Sequence, residues 1–105
     1  SKAVTPHELQ KLISDQRKIL DNLDKRIVDT LKKRMKIVDE LGHIKANNNA
    51  SVFQMERWFD LLKQRGHQAR ELGLNENFIN ELFQIIHKYS VEHQNEIYQH
   101  FRDKE

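Results

Sequence analysis

Between Thr5 and the polar run at 47–51, the only helix breaker after Pro6 is Gly42, and that scarcity constrains the fold more than any other feature. Thr5-Pro6-His7-Glu8 reads as a helix start. Thr5 is the cap, Pro6 suits the first helical position, and Glu8 completes a capping box. The NNNAS run at 47–51 reads as the stop. The intervening helix is about 40 residues long, or ~60 Å. A globule of 105 residues is only about 30–35 Å across. Such a helix cannot be covered by its own chain, and the simple solution is a dimer with two long helices side by side.

The helix carries its apolar residues on a stripe: Leu20, Leu23, Ile27, Leu31, Val38, Leu41 and Ile44 recur at threes and fours. Ile27, Arg34 and Leu41 are seven apart, which predicts one core-facing line with an arginine in its middle. Lys45 lies about 20° further round and ~16 Å along from Arg34. Two cations on a face that otherwise wants hydrocarbon imply something anionic to compensate them.

Ser51 reads as the cap of a second helix, with Gln54 as its capping-box partner and Val52, Met55, Phe59 and Leu62 as its apolar face. Trp58 lies beside that face, and Gly66 interrupts it as a weak point. Leu72-Gly73-Leu74 reads as a glycine stop, and Asn75 as the cap of a third helix. The third apolar face is Phe78, Ile79, Leu82, Phe83, Ile86, Ser90 and Val91, extended by Ile97, Tyr98 and Phe101. The expectation is one all-α domain over residues 1–105, with helices at about 6–47, 52–72 and 76–102. Residues 1–4 read as the tail of a linker from an upstream domain, and a first residue of Ser rather than Met fits an excised piece.

The chain has no cysteine, which excludes disulfides, thiolate metal sites and cysteine nucleophiles. No apolar run approaches the ~20 residues of a membrane span, and no signal peptide is visible, so a cytoplasmic location with no membrane partner is expected. Eighteen basic residues are interleaved with sixteen acidic ones for a net charge of +2, which argues against a nucleic-acid partner. His7, His43, His67, His87, His93 and His100 lack ligand spacing on a common face and read as surface or supporting groups; no metal is expected.

The informative polar residues are those at inward positions. Arg34 and Lys45 come from helix one, Arg57 lies one turn from Gln54 on helix two, and Ser90 and Gln94 share a face of helix three. They supply guanidinium, ammonium, hydroxyl and amide groups, without a nucleophile–base pair. Such a set binds anions and steadies charge. Plainer readings stay open for each residue alone. Arginines on long helices snorkel to solvent or pair with acids, Gln54 serves as a capping partner, Ser90 and Gln94 bond across a helix interface, and Trp58 fills core.

Taken in order, the motifs resemble the all-helical chorismate mutase family, the AroQ class, over nearly the full length. The resemblance is carried by R-x5-LD at Arg17, Leu23 and Asp24, by Lys33-Arg34, and by L-G-x-x-K from Leu41 to Lys45. It continues through V-x4-R from Val52 to Arg57 and LFQIIHKYSVEHQ around Ser90 and Gln94. It implies three helices per chain in an intertwined, domain-swapped homodimer with two shared sites. It also implies the rearrangement of chorismate to prephenate, toward phenylalanine and tyrosine. On the matching positions, Lys45 and Gln94 would be catalytic, and Arg17, Arg34, Arg57, Ser90 and Gln54 would bind substrate. Arg17 would reach into the other subunit's site. Helix length agrees: Arg17 and Lys45 are ~42 Å apart along one helix, beyond the reach of one small ligand.

The implied reaction is a Claisen rearrangement that calls for no cofactor, metal or nucleophile. The arginines would hold the two carboxylates of a folded substrate, while Lys45 and Gln94 donate to the ether oxygen as charge grows on it. Helix two departs from the family. Many relatives carry a carboxylate where this chain has Gln54 and a glutamate where it has Trp58, groups that contact or orient the substrate's ring hydroxyl. Two other activities share the resemblance: an isochorismate–pyruvate lyase, and a weakly active regulatory helical dimer fused to another aromatic-pathway enzyme. A coiled-coil interaction module is the plainest alternative.

Overall fold

The computed structural model describes residues 3–104, so half of the linker-like tail at 1–4 lies outside the described residues. The chain is all-helical, with α1 at Pro6–Asn47, α2 at Met55–Glu71 and α3 at Glu76–Asp103. No strand forms among the described residues. The chain divides into two compact units, Ser1–Arg34 and Met35–Glu105.

The first unit is the N-terminal part of α1. Its start is fixed by Thr5, whose hydroxyl oxygen accepts from the Glu8 backbone N–H at 3.2 Å while the hydroxyl donates to the Glu8 carboxylate at 3.0 Å. Beyond this cap the unit's large apolar side chains, from Leu9 and Leu12 to Leu20, Leu23, Ile27 and Val28, stand exposed. Leu23, Ile27 and Leu31, with the stems of Arg26 and Thr30, line an open and largely apolar hollow.

The second unit holds the end of α1 with α2 and α3. α1 stops where Asn49 takes a positive φ of 53° and the Ala50 N–H returns to the Lys45 carbonyl at 2.9 Å. That is a left-handed helix cap, a position asparagine tolerates. α2 stops in the same way at Gly73, φ 71°, with the Leu74 N–H on the Ala69 carbonyl at 2.8 Å. Asn75 caps α3, its side chain accepting from the Phe78 N–H at 2.9 Å.

Three expectations need correcting. α2 begins at Met55 with Gln54 at the cap position and no side-chain cap bond, so Ser51 does not cap it. The stretch 51–54 stays outside the helix and bends at Val52, whose carbonyl accepts from the Lys45 ammonium at 2.9 Å. The buried line of α1 is Val38, Gly42 and Ala46, and Leu41, expected to face the core, is 42% exposed. Gly42 sets this register, because a Cβ there would stand 2.8 Å from Ile97 Cδ1 and 3.3 Å from Gln94 Cγ. Gly66 is likewise a contact rather than a weak point: a Cβ would meet the Glu76 carboxylate at 2.9 Å, the same group that Arg70 grips at 2.7 Å.

Candidate active site

Within the second unit the sequence brings two expected residues into direct contact. The last turns of α1 present Lys45 one turn beyond Gly42, and the close approach at Gly42 puts α3 within its reach. The Lys45 ammonium donates to the Gln94 side-chain oxygen at 2.9 Å and to the Val52 carbonyl at 2.9 Å. A lysine has donors only, so the oxygen of the Gln94 amide must face it, which turns the Gln94 NH2 end elsewhere. Gln94 is 6% exposed. Burial pushes the Lys45 ammonium below the usual lysine value of 10.5.

Ser90, also buried, donates to the Ile86 carbonyl at 2.7 Å and lies 4.0 Å from the Met35 sulfur. Its hydroxyl therefore has to rotate off its own helix before it can donate to a ligand. Gln54 and Arg57 are exposed at the start of α2. Arg17 and Arg34 belong to the first unit. Arg17 lines a shallow hollow with Gln10, Ile13, Ser14, Lys18 and Asp21, and Arg34 is half-buried. The contacts within the second unit thus join Lys45 and Gln94 and place Ser90 one turn away on α3.

Two histidines have more definite surroundings than a surface reading gave them. His93, next to Gln94, meets the Asp39 carboxylate at 2.9 Å, tying α3 to α1 beside the Lys45–Gln94 pair. His87 is half-buried and stacked on Trp58, ring centroids 4.0 Å apart, with Phe53 edge-on at 5.7 Å. The sequence signal was the spacing of His87, Val91 and Gln94 by four and three, which places His87 on the stripe of α3 that carries Gln94. No cluster of three or more His, Cys, Asp or Glu side chains suited to a metal ion occurs among the described residues. Among them no helix is long and apolar enough to cross a membrane.

The family model for chorismate mutase type II matches residues 16–95. Among curated proteins, a bifunctional chorismate mutase/prephenate dehydratase of Buchnera aphidicola is 38% identical over 72 residues, which is 69% of this chain and 19% of that protein. The T-protein of Haemophilus influenzae is 23% identical over 84 residues, 80% of this chain and 22% of that protein. The isochorismate pyruvate lyase of Pseudomonas aeruginosa is 37% identical over 89 residues, covering 84% of this chain and 86% of that protein. The chain spans about a fifth of the length of the first two of these relatives. With the match running from the first third of α1 to the Gln94 turn of α3, the chain belongs to the chorismate mutase type II family.

Proposed function

We propose that the chain rearranges chorismate to prephenate, working as a domain-swapped homodimer with shared sites. The observation that carries this reading is the half-buried 2.9 Å bond from Lys45 to the side-chain oxygen of the buried Gln94. It leaves the ammonium's third proton and the Gln94 NH2 as two neighbouring donors, one charged and one neutral. A Claisen rearrangement places growing negative charge on one ether oxygen, and donors brought to that atom stabilise it most as the bond breaks. Arg34, Arg57 and a partner's Arg17 bind the substrate carboxylates, a task suited to the guanidinium fork, with Ser90 and Gln54 assisting. The restrained substrate then meets less entropic cost on the way to the transition state.

The dimer is supported by the exposed leucines and isoleucines of residues 9–31, a row that a second copy of α1 can cover. Fusion to another aromatic-pathway enzyme is supported by the bifunctional relatives. An acceleration on the order of 10⁶-fold requires ~8 kcal/mol, within reach of two such donors plus conformational restraint.

The lyase reading has one observation in its favour, the match to the isochorismate pyruvate lyase over most of both chains. The two are separated by incubating the protein with chorismate and with isochorismate in parallel. Loss of chorismate absorbance with prephenate formed, and no pyruvate from isochorismate, is the expected result. Pyruvate release from isochorismate without prephenate from chorismate would replace the mutase by the lyase.

A further inference from the structure

We infer that Asp39 and His93 are positioning residues for the rearrangement: their bond between α1 and α3 sets where the Gln94 amide stands against Lys45. This rests on the proposed mutase reading. The Lys45–Gln94 pair joins two helices, so its geometry is only as fixed as the way those helices meet. Residues 39, 42 and 45 of α1 are spaced by threes, and each step of three turns back about 60° and advances ~4.5 Å. Gly42 therefore stands in the middle of that face, with Asp39 and Lys45 flanking it on opposite sides. α3 comes close at the middle, where a Cβ on Gly42 would lie 3.5 Å from the Gln94 Cα and 2.8 Å from Ile97 Cδ1.

A contact centred on one small residue lets a helix roll about it. Two hydrogen bonds straddle that point. On one side the Lys45 ammonium meets Gln94 Oε1 at 2.9 Å, and on the other His93 Nε2 meets Asp39 Oδ1 at 2.9 Å. His93 and Gln94 are neighbours about 100° apart around α3, so α3 cannot roll Gln94 along Lys45 without straining the His93–Asp39 bond. A carboxylate accepts, so His93 Nε2 carries a proton and donates. The other Asp39 oxygen faces His43 Nε2 at 3.6 Å, one turn further along α1. The His93 and Asp39 side chains are 32% and 47% exposed, and that decides the kind of role. A pair so open to water contributes little to folding, whereas small displacements of a donor beside reacting atoms are felt directly in turnover.

The test measures kcat and KM for chorismate, with thermal unfolding, in wild type, His93→Ala, His93→Gln and Asp39→Ala, and repeats both alanine changes in a Gln94→Ala background. Each alanine variant is expected to lower kcat about three- to tenfold, with KM within about twofold of wild type and Tm nearly unchanged. His93→Gln keeps an N–H at the reach of Nε2 and is expected to return most of kcat. In the Gln94→Ala background neither alanine change is expected to lower kcat further, because the amide through which the pair acts is gone. A tie that served only the fold would lower kcat there as much as in wild type.

Undiminished kcat in His93→Ala and Asp39→Ala overturns the inference, as does a full further loss in the Gln94→Ala background. A His93→Gln variant no better than His93→Ala overturns it too. Should His93→Ala unfold, Asp39→Ala decides by the same comparison of backgrounds, and unfolding of both makes the pair a folding element and overturns the inference. If wild type does not convert chorismate, the mutase reading fails and takes this inference with it. If wild type converts chorismate and only these variants depart from expectation, the inference alone is lost.

Discussion

The two parts of α1 differ in what their apolar faces meet. In residues 35–47 the inward line is small, Val38-Gly42-Ala46, and α3 of the same chain packs close against it. In residues 6–34 the line is built from leucine and isoleucine, and those side chains stand in the open, Leu20 at 56% and Ile27 at 58% exposure. Small residues suit close approach within one chain. Large ones need a broad, matching apolar surface to repay their burial. The difference teaches that one helix has two characters: its end fixes a polar pair inside the chain, and its beginning is an open apolar surface, which the proposed dimer would cover.

Breaking the polar pair has the largest expected effect. Lys45→Ala should lower chorismate turnover by at least ~10²-fold, the scale for losing one oxyanion-type donor, and Gln94→Ala should do the same. Circular dichroism should show the helices intact in both variants.

Next comes the open face. Ile27→Asp places a charge in the exposed apolar row, and sedimentation should show the dimer dissociating to single chains, with turnover at low protein concentration down about tenfold or more. A charge change outside that row, Glu40→Lys at an exposed position, should leave the mass untouched.

Gly42→Ala sharpens the comparison from the other side. The added methyl would meet Ile97 Cδ1 at 2.8 Å and crowd Gln94 at 3.3 Å. Overpacking costs about 1–3 kcal/mol, against which alanine returns ~1 kcal/mol of helix propensity. Thermal unfolding should therefore fall only slightly, while kcat falls several-fold because Gln94 is displaced.

The smallest effect is the response to pH. Burial lowers the Lys45 pKa from 10.5, so the charged donor is lost as pH rises through the folded-state value, and the alkaline limb of kcat should begin below that of an ordinary lysine. The sign for stability is opposite. In the window between the two values the unfolded chain holds the proton more tightly, so stability rises with pH there. Turnover should fall in this range without loss of folding.

Much of this was legible in the residues. Thr5 with Glu8, Gly73 and Asn75 are local signals whose hydrogen bonds need no tertiary partner, and each forms as its type dictates. The boundary of α2 was not legible from Ser51, because the Val52 carbonyl is claimed by Lys45, a partner seven residues away whose orientation depends on α3. Leu41 misled for a related reason. Spacing identifies an apolar stripe without saying which side of it meets the same chain, and Gly42, with no side chain to count, decided the register. The meeting of Lys45 with Gln94 joins residues 49 apart, a distance over which helical periodicity is silent; the family resemblance supplied that pair. His87 read only as a surface or supporting group, because a histidine among apolar neighbours carries no motif until Trp58 is seen against it.

The central claim is that the open beginning of α1 completes the polar pair of a second copy, and mixing variants tests it most directly. Arg17→Ala and Lys45→Ala chains, each nearly inactive alone, should regain about a quarter of wild-type turnover after unfolding and refolding together, since half the dimers are mixed and each mixed dimer keeps one intact site. Turnover that stays at the level of the separate variants, with mixed dimers shown to have formed, would contradict it.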